Sequence, residues 1–172
     1  MSRSCCEQIR AIVDRLGDLI NVLQSPPAMP AIINTTGKLD PPLGCIRMKV
    51  VDLLHALVLT GDAVVEQKII ESKALSVVMD LFFKYEWCNI LHNTAKSMID
   101  EILAGDKSNM KKCVIADCNL LARIITAHQP DGNGKVNAIQ NVFIPIHTFL
   151  QNLHIEGLRP LHVIGSMIAP SM

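Results

Sequence analysis

A chain of 172 residues, 49% of them hydrophobic, is long enough to bury a core and too apolar to be disordered throughout. Sixteen basic and sixteen acidic side chains cancel, so no charge field exists to draw nucleic acid or to imitate it. The longest uncharged stretch, 136–155, is broken up by Asn, Gln, His and Pro and cannot supply the roughly 20 apolar residues that span a bilayer.

The apolar load is aliphatic, with only four Phe, one Tyr and one Trp, as is common in helical proteins. From Glu7 to Leu23, the residues Ile9, Ile12, Val13, Leu16, Leu19, Ile20 and Leu23 fall at the three- and four-residue steps of one amphipathic helix. Ser25-Pro26-Pro27 ends it, because proline lacks the amide hydrogen the next turn needs. Residues 25–44 hold five prolines and read as an ordered linker in which strand is not expected.

The helical period then resumes. Ile46, Val50, Leu53, Leu54, Leu57 and Val58 form a stripe that ends near Thr60-Gly61. Asp62 is placed to cap a short helix, and Leu75, Val78, Met79, Leu81 and Phe82 mark a third, stopped at Lys84-Tyr85-Glu86-Trp87. Asn89 is placed to cap a second long helix closed by Gly105; Ser108 opens a short one, and Asn119 caps a last one. Two stripes, 46–59 and 90–104, begin about 44 residues apart with two shorter helices between them. That layout predicts an all-α armadillo- or HEAT-like α-solenoid. Two or three such units would leave apolar faces bare, so the array is expected to be a piece of a longer solenoid. The expected organisation is a repeat helix at 1–24, the Pro-rich linker at 25–44, an armadillo-like segment at 45–130, and a divergent, partly helical tail at 131–172.

Catalytic patterns are missing. No GxGxxG, GxxxxGK[ST], HExxH or GxSxG occurs, nor the Asp-His-Gly and Gly-Asn-His-Glu signatures of a metal-dependent phosphatase. No cofactor is implied. The six cysteines form no disulfide framework and suit a reducing compartment. Cys5-Cys6 could carry a lipid or a metal but reads more simply as ordinary thiols. Cys113 and Cys118 could give two metal ligands, though zinc usually wants closer pairs and four donors, so buried neutral thiols are expected. Cys88 and His92, four apart, could form a dyad, but nothing supplies an orienting third group. His147, His154 and His162 would share a helix face only if Pro160 did not interrupt it.

The most informative stretch is 80–92, DLFFKYEWCNILH, which gathers the only Trp, the only Tyr and two Phe. Such a cluster either fixes the corner between two helices or contacts a partner, since Trp and Tyr are enriched at binding hot spots. Both are compatible, with Phe82 inward and Trp87 or Tyr85 facing a groove.

Four blocks, LQSPP (23–27), TGKLDPPLG (36–44), RMKVVDLL (47–54) and LFFKYEWCNILH (81–92), resemble in order and spacing the SAPS family, the regulatory subunits of phosphatase 6 and its fungal Sit4-type counterpart. The resemblance covers about residues 7–128; Cys88 and Ile90 depart from the family pattern, and from Lys135 onward its next block is missing. It implies a non-catalytic regulatory or scaffold subunit that binds a serine/threonine phosphatase catalytic subunit and, through it, ankyrin-repeat subunits. A cytoplasmic setting, with the nucleus open, is expected. Phe83, Tyr85, Trp87, Asn89, His92 and Arg47 are the expected partner-binding residues. The competing reading is a generic armadillo-type adaptor without phosphatase binding.

Overall fold

A computed structural model describes residues 3–128, apart from 29, 35 and 36. Helices α1 (Arg3–Asp14) and α2 (Leu16–Gln24) occupy the first segment. One helix was expected there; the chain instead tightens at Arg15, whose amide bonds back three residues to Ile12. Val13, Leu16, Ile20 and Leu23 still share one buried face across the break. The Ser25 amide reaches the Asn21 carbonyl, and Pro26 then has no amide to continue the ladder.

The linker holds a feature the sequence did not suggest. Strands β1 (Ile32–Asn34) and β2 (Gly37–Leu39) pair antiparallel, Ile32 opposite Leu39 and Asn34 opposite Gly37. Three residues per strand are too few for alternation to register in the sequence, and such a hairpin leans on its surroundings for stability. Ile33 stays 82% exposed.

Six helices and a π turn follow: α3 (Gly44–Leu59), α4 (Ala63–Glu71), α5 (Ala74–Lys84), α6 (Asn89–Ala104), α7 (Ser108–Lys112), a π-helical turn (Cys113–Asp117) and α8 (Leu120–His128). The helices α6, α7 and α8 start 45, 45 and 46 residues after α3, α4 and α5. Two three-helix units therefore repeat, at the period expected from the stripes. Their long helices run side by side in the same direction. Arg47 near the start of α3 touches Tyr85 just before α6, Asp52 accepts from Thr94, and Lys107 just beyond α6 reaches Val58 near the end of α3. Parallel stacking of equivalent helices is the arrangement of a solenoid. The described residues are all-α apart from the hairpin.

The core lies between these layers. Val50, Val51, Leu54, Leu57 and Val58 of α3 join Leu91, Ala95, Met98, Ile99, Ile102 and Leu103 of α6, with Val65, Ile69, Leu75, Val78 and Phe82 beneath. Helix α2 packs on α3 and α5, so the first segment belongs to the same core.

Ends of helices follow local chemistry, with two departures. The Asp62 carboxylate accepts from the Val64 and Val65 amides at 2.8 and 3.3 Å, as expected of an N-cap. Asn89 does not cap α6; it is the first helical residue, and Cys88 sits at the cap position without a side-chain bond. Gly105 closes α6 with an extended backbone, so its value is space: a Cβ there would stand 3.2 Å from the Glu101 carbonyl oxygen. Asn119 precedes α8 in the left-handed region, φ 50°, which asparagine tolerates better than most residues.

Candidate partner-binding site

The corner between α5 and α6 is built from the inside outward. Phe82, on the last turn of α5, is wholly buried and stacks against the His92 ring, centroids 4.3 Å apart. His92 is equally buried, and its Nε2 lies 3.1 Å from the Phe82 carbonyl oxygen. A carbonyl can only accept, so the proton is assigned to Nε2 and Nδ1 is left as an acceptor without a partner. Burial holds the imidazole below its ordinary pKa, partly offset by the Phe82 and Tyr85 carbonyls, which favour the protonated ring.

Tyr85 also turns inward. Its hydroxyl donates to the Pro41 carbonyl at 2.6 Å and accepts from Arg47 Nη2 at 2.7 Å. Arg47 is buried as well; Nε donates to the Leu43 carbonyl at 2.8 Å, Nη2 to that of Pro42 at 2.7 Å and Nη1 more loosely to that of Leu23 at 3.4 Å. This guanidinium thus ties together the end of α2, the linker, α3 and the corner. Buried carbonyls that would otherwise go unpaired make the network expensive to dismantle.

Of the six residues expected to contact a partner, the structure therefore brings Arg47 and Tyr85 together inside the protein and buries His92 beside Phe82. Phe83 is partly covered: the Arg123 guanidinium of α8 lies 4.7 Å above its ring and pairs with Asp80 at 2.7 Å. Only Trp87 and Asn89 stand fully out. Trp87 is 56% exposed, and Ile90, three residues on and not among the expected set, is 69% exposed. Ile46 on the first turn of α3, also 70% exposed, is a further apolar side chain at the same end of the parallel helix pair. The helical period could have found Ile90, since Leu91 and not Ile90 continues the buried stripe.

Cys88 and His92 do not make a catalytic dyad. The imidazole is committed to the Phe82 carbonyl and packed behind an aromatic ring. Cys113 and Cys118 are buried thiols, both raised by that burial, Cys118 to about 12. Among the described residues no three His, Cys, Asp or Glu side chains are grouped to hold a metal, and no helix is long and apolar enough to cross a membrane. The side chains of Cys5 and Cys6, and residues His147, His154 and His162 with the whole 131–172 tail, lie outside the described residues.

Lys107 is a structural residue that sequence reasoning missed. Its ammonium donates to the Val58 carbonyl at 2.6 Å, with Glu66 and Glu101 each 3.9 Å away. It ties the second unit to the C-terminal end of α3, where carbonyls lack helical partners. No local pattern marks a lysine whose acceptor lies 49 residues upstream.

Comparison with known proteins bears directly on this corner. Residues 59–140 match the family model of SAPS, the SIT4 phosphatase-associated proteins. Serine/threonine-protein phosphatase 6 regulatory subunit 3 of Gallus gallus is 32% identical over 143 residues, 74% of this chain and 16% of the relative. Subunit 3-B of Xenopus laevis is 33% identical over 111 residues, 64% of this chain and 13% of its own length. Human regulatory subunit 2 is 35% identical over 96 residues, 56% of this chain and 10% of its own. The chain thus spans about a sixth or less of the length of these relatives. No solved structure matches it. The matched segment contains the corner and helices α4 to α8, and with the Gallus gallus relative 32% identical over 74% of the chain, the chain belongs to the SAPS family.

Proposed function

We propose that the chain is a non-catalytic regulatory or scaffold element that binds a phosphatase 6-type catalytic subunit and modulates or directs its activity. The observation that carries this reading is Trp87, exposed on a corner whose inner side is locked by Arg47 and Tyr85, within the segment that matches the family model. A large aromatic held outward on a rigid support loses little entropy on binding and is the kind of residue that dominates interface energetics. Asn89 and Ile90 extend the contact. Ankyrin-repeat subunits join through the catalytic subunit, in the cytoplasm or nucleus. The relatives' names, which call them phosphatase regulatory subunits, support both the partner and the absence of catalysis by this chain.

The test is capture of the catalytic subunit by the full chain and by Trp87→Ala, with helicity followed in parallel. Capture by the wild-type chain and its loss in the variant at unchanged helicity is the expected result. If the wild-type chain captures no catalytic subunit, the reading fails, and capture of unrelated helical proteins or peptides instead would favour a generic adaptor.

A further inference from the structure

His92 carries an atom that the corner does not use. Among the described residues its Nδ1 is the one buried side-chain nitrogen or oxygen without a hydrogen-bond partner, and such atoms are rare enough in folded chains to need a reason. The ring is fully enclosed, its Nε2 against the Phe82 carbonyl and its face against the Phe82 ring. It is also the fourth residue of α6, inside the first turn. That turn holds no acidic side chain, and Cys88 at its cap supplies no side-chain bond. A positive charge at a helix start opposes the macrodipole, and a buried one loses its hydration. A protonated His92 meets both penalties at once. The same turn carries Asn89 and Ile90, and Trp87 lies two residues ahead of it.

The charged groups on the surrounding elements are engaged elsewhere. On α3, Arg47 is spent on carbonyls and the Tyr85 hydroxyl, and Lys49 pairs with Asp52. On α5, Asp80 pairs with Arg123 and Lys84 lies over the Tyr85 ring; Glu86 follows in the corner. Lys96 and Asp100 pair further along α6, and Lys111 and Lys112 sit in the last turn of α7. None of these acts on the imidazole, whose surroundings work through burial first and then through the Phe82 and Tyr85 carbonyls.

We propose that His92 is a proton-sensitive latch for the docking face: the neutral ring keeps the first turn of α6 folded with Trp87, Asn89 and Ile90 presented, and proton uptake frees the ring and frays that turn. As a control on docking, the latch rests on the reading of Trp87 as the contact for the catalytic subunit. The frayed form takes up a proton near the ordinary imidazole value of 6.5, and the closed form resists it. Acid therefore draws the population toward the frayed form, and the enclosed ring need not be reached from solvent. One proton shifts that balance by at most about 25-fold between pH 7 and 5.

Trp87 is the only tryptophan, so its fluorescence anisotropy reports how firmly the corner is held. The full chain is titrated from about pH 7.5 to 5 at fixed ionic strength, with anisotropy, helicity and capture of the catalytic subunit followed in parallel. The expected result is that anisotropy and capture fall together while nearly all helicity is kept. His92→Gln, whose amide can still donate to the Phe82 carbonyl, should hold both readings flat, and His55→Gln should behave as the wild type. An equal fall in His92→Gln overturns the latch. Should that variant not fold, the wild type decides: anisotropy that ignores pH, or that falls only as helicity is lost globally, overturns it as well. Capture that persists undiminished at pH 5 while Trp87 loosens overturns the control of docking. Anisotropy that responds as expected with no capture at any pH supports the latch and sinks the partner reading instead.

Discussion

The inner and outer sides of the 80–92 corner use neighbouring residues for opposite ends. Inside, Phe82, Tyr85 and His92 are spent on the protein itself: a buried ring, a hydroxyl bridging Arg47 and Pro41, and an imidazole bonded to a carbonyl. Outside, Trp87, Asn89 and Ile90 touch little of the protein and leave their surface to solvent. A helical period would carry Tyr85 and Trp87 to different faces, but the helix has already ended at Lys84. It is the Tyr85–Pro41 bond, 44 residues apart in sequence, that decides which aromatic turns in. A dense aromatic motif is thus two motifs interleaved, one that locks the corner and one that faces solvent.

Substitutions can separate the two. Phe82→Ala should cost about 3–5 kcal/mol of stability, seen as a fall in the denaturation midpoint, because it empties a fully enclosed site. Trp87→Ala should leave stability within about 0.5 kcal/mol yet weaken catalytic-subunit binding by about 2 kcal/mol, roughly thirtyfold in Kd by calorimetry. Equal loss of stability and binding in that variant would collapse the distinction. Tyr85→Phe keeps the ring but takes one of two acceptors from Arg47 Nη2 and the donor from the Pro41 carbonyl; it should destabilise by about 1–3 kcal/mol and affect binding only through folding. Asp62→Ala, remote from the corner, should cost about 1 kcal/mol through the lost cap and leave affinity unchanged.

Acid sharpens the inner side further. The His92 pKa is lowered in the folded chain, so at pH values below the unfolded imidazole's ordinary range near 6.5 the unfolded state takes up a proton that the folded state resists. The His92 contribution is therefore fully present above that pH and declines as the pH falls toward the depressed folded value. Denaturant midpoints measured between about pH 7 and 5 should fall with acid in the wild type, and His92→Gln should flatten that slope.

How far the residues announced all this varies with distance along the chain. Helix stripes, the stop at Ser25-Pro26, the Asp62 cap and the 45-residue offset are written in neighbours a few positions apart, and they were legible. The exposure of Trp87 beside buried Phe82 was legible too, as one of two compatible arrangements. Tyr85, Arg47 and Lys107 were not, because each finds its decisive partner 38 or more residues away. The hairpin and the π turn escaped for the other reason: three paired residues and one widened turn are too short to leave a period.

Arg47 has one more consequence, in the effect of salt. Its charge is met by carbonyl oxygens and a tyrosine hydroxyl, and among the described residues no carboxylate pairs with it. Dissolved ions weaken attraction between exposed opposite charges over a Debye length of about 10 Å at 0.1 M, but they reach a buried cation held by dipoles far less. The surface pairs, such as Lys49 with Asp52 and Lys68 with Glu71, should loosen as ionic strength rises while the corner keeps its shape. The face that carries Trp87 is therefore presented in the same form in dilute and concentrated electrolyte, and any salt sensitivity of partner capture would originate in the encounter between the two proteins rather than in this fold.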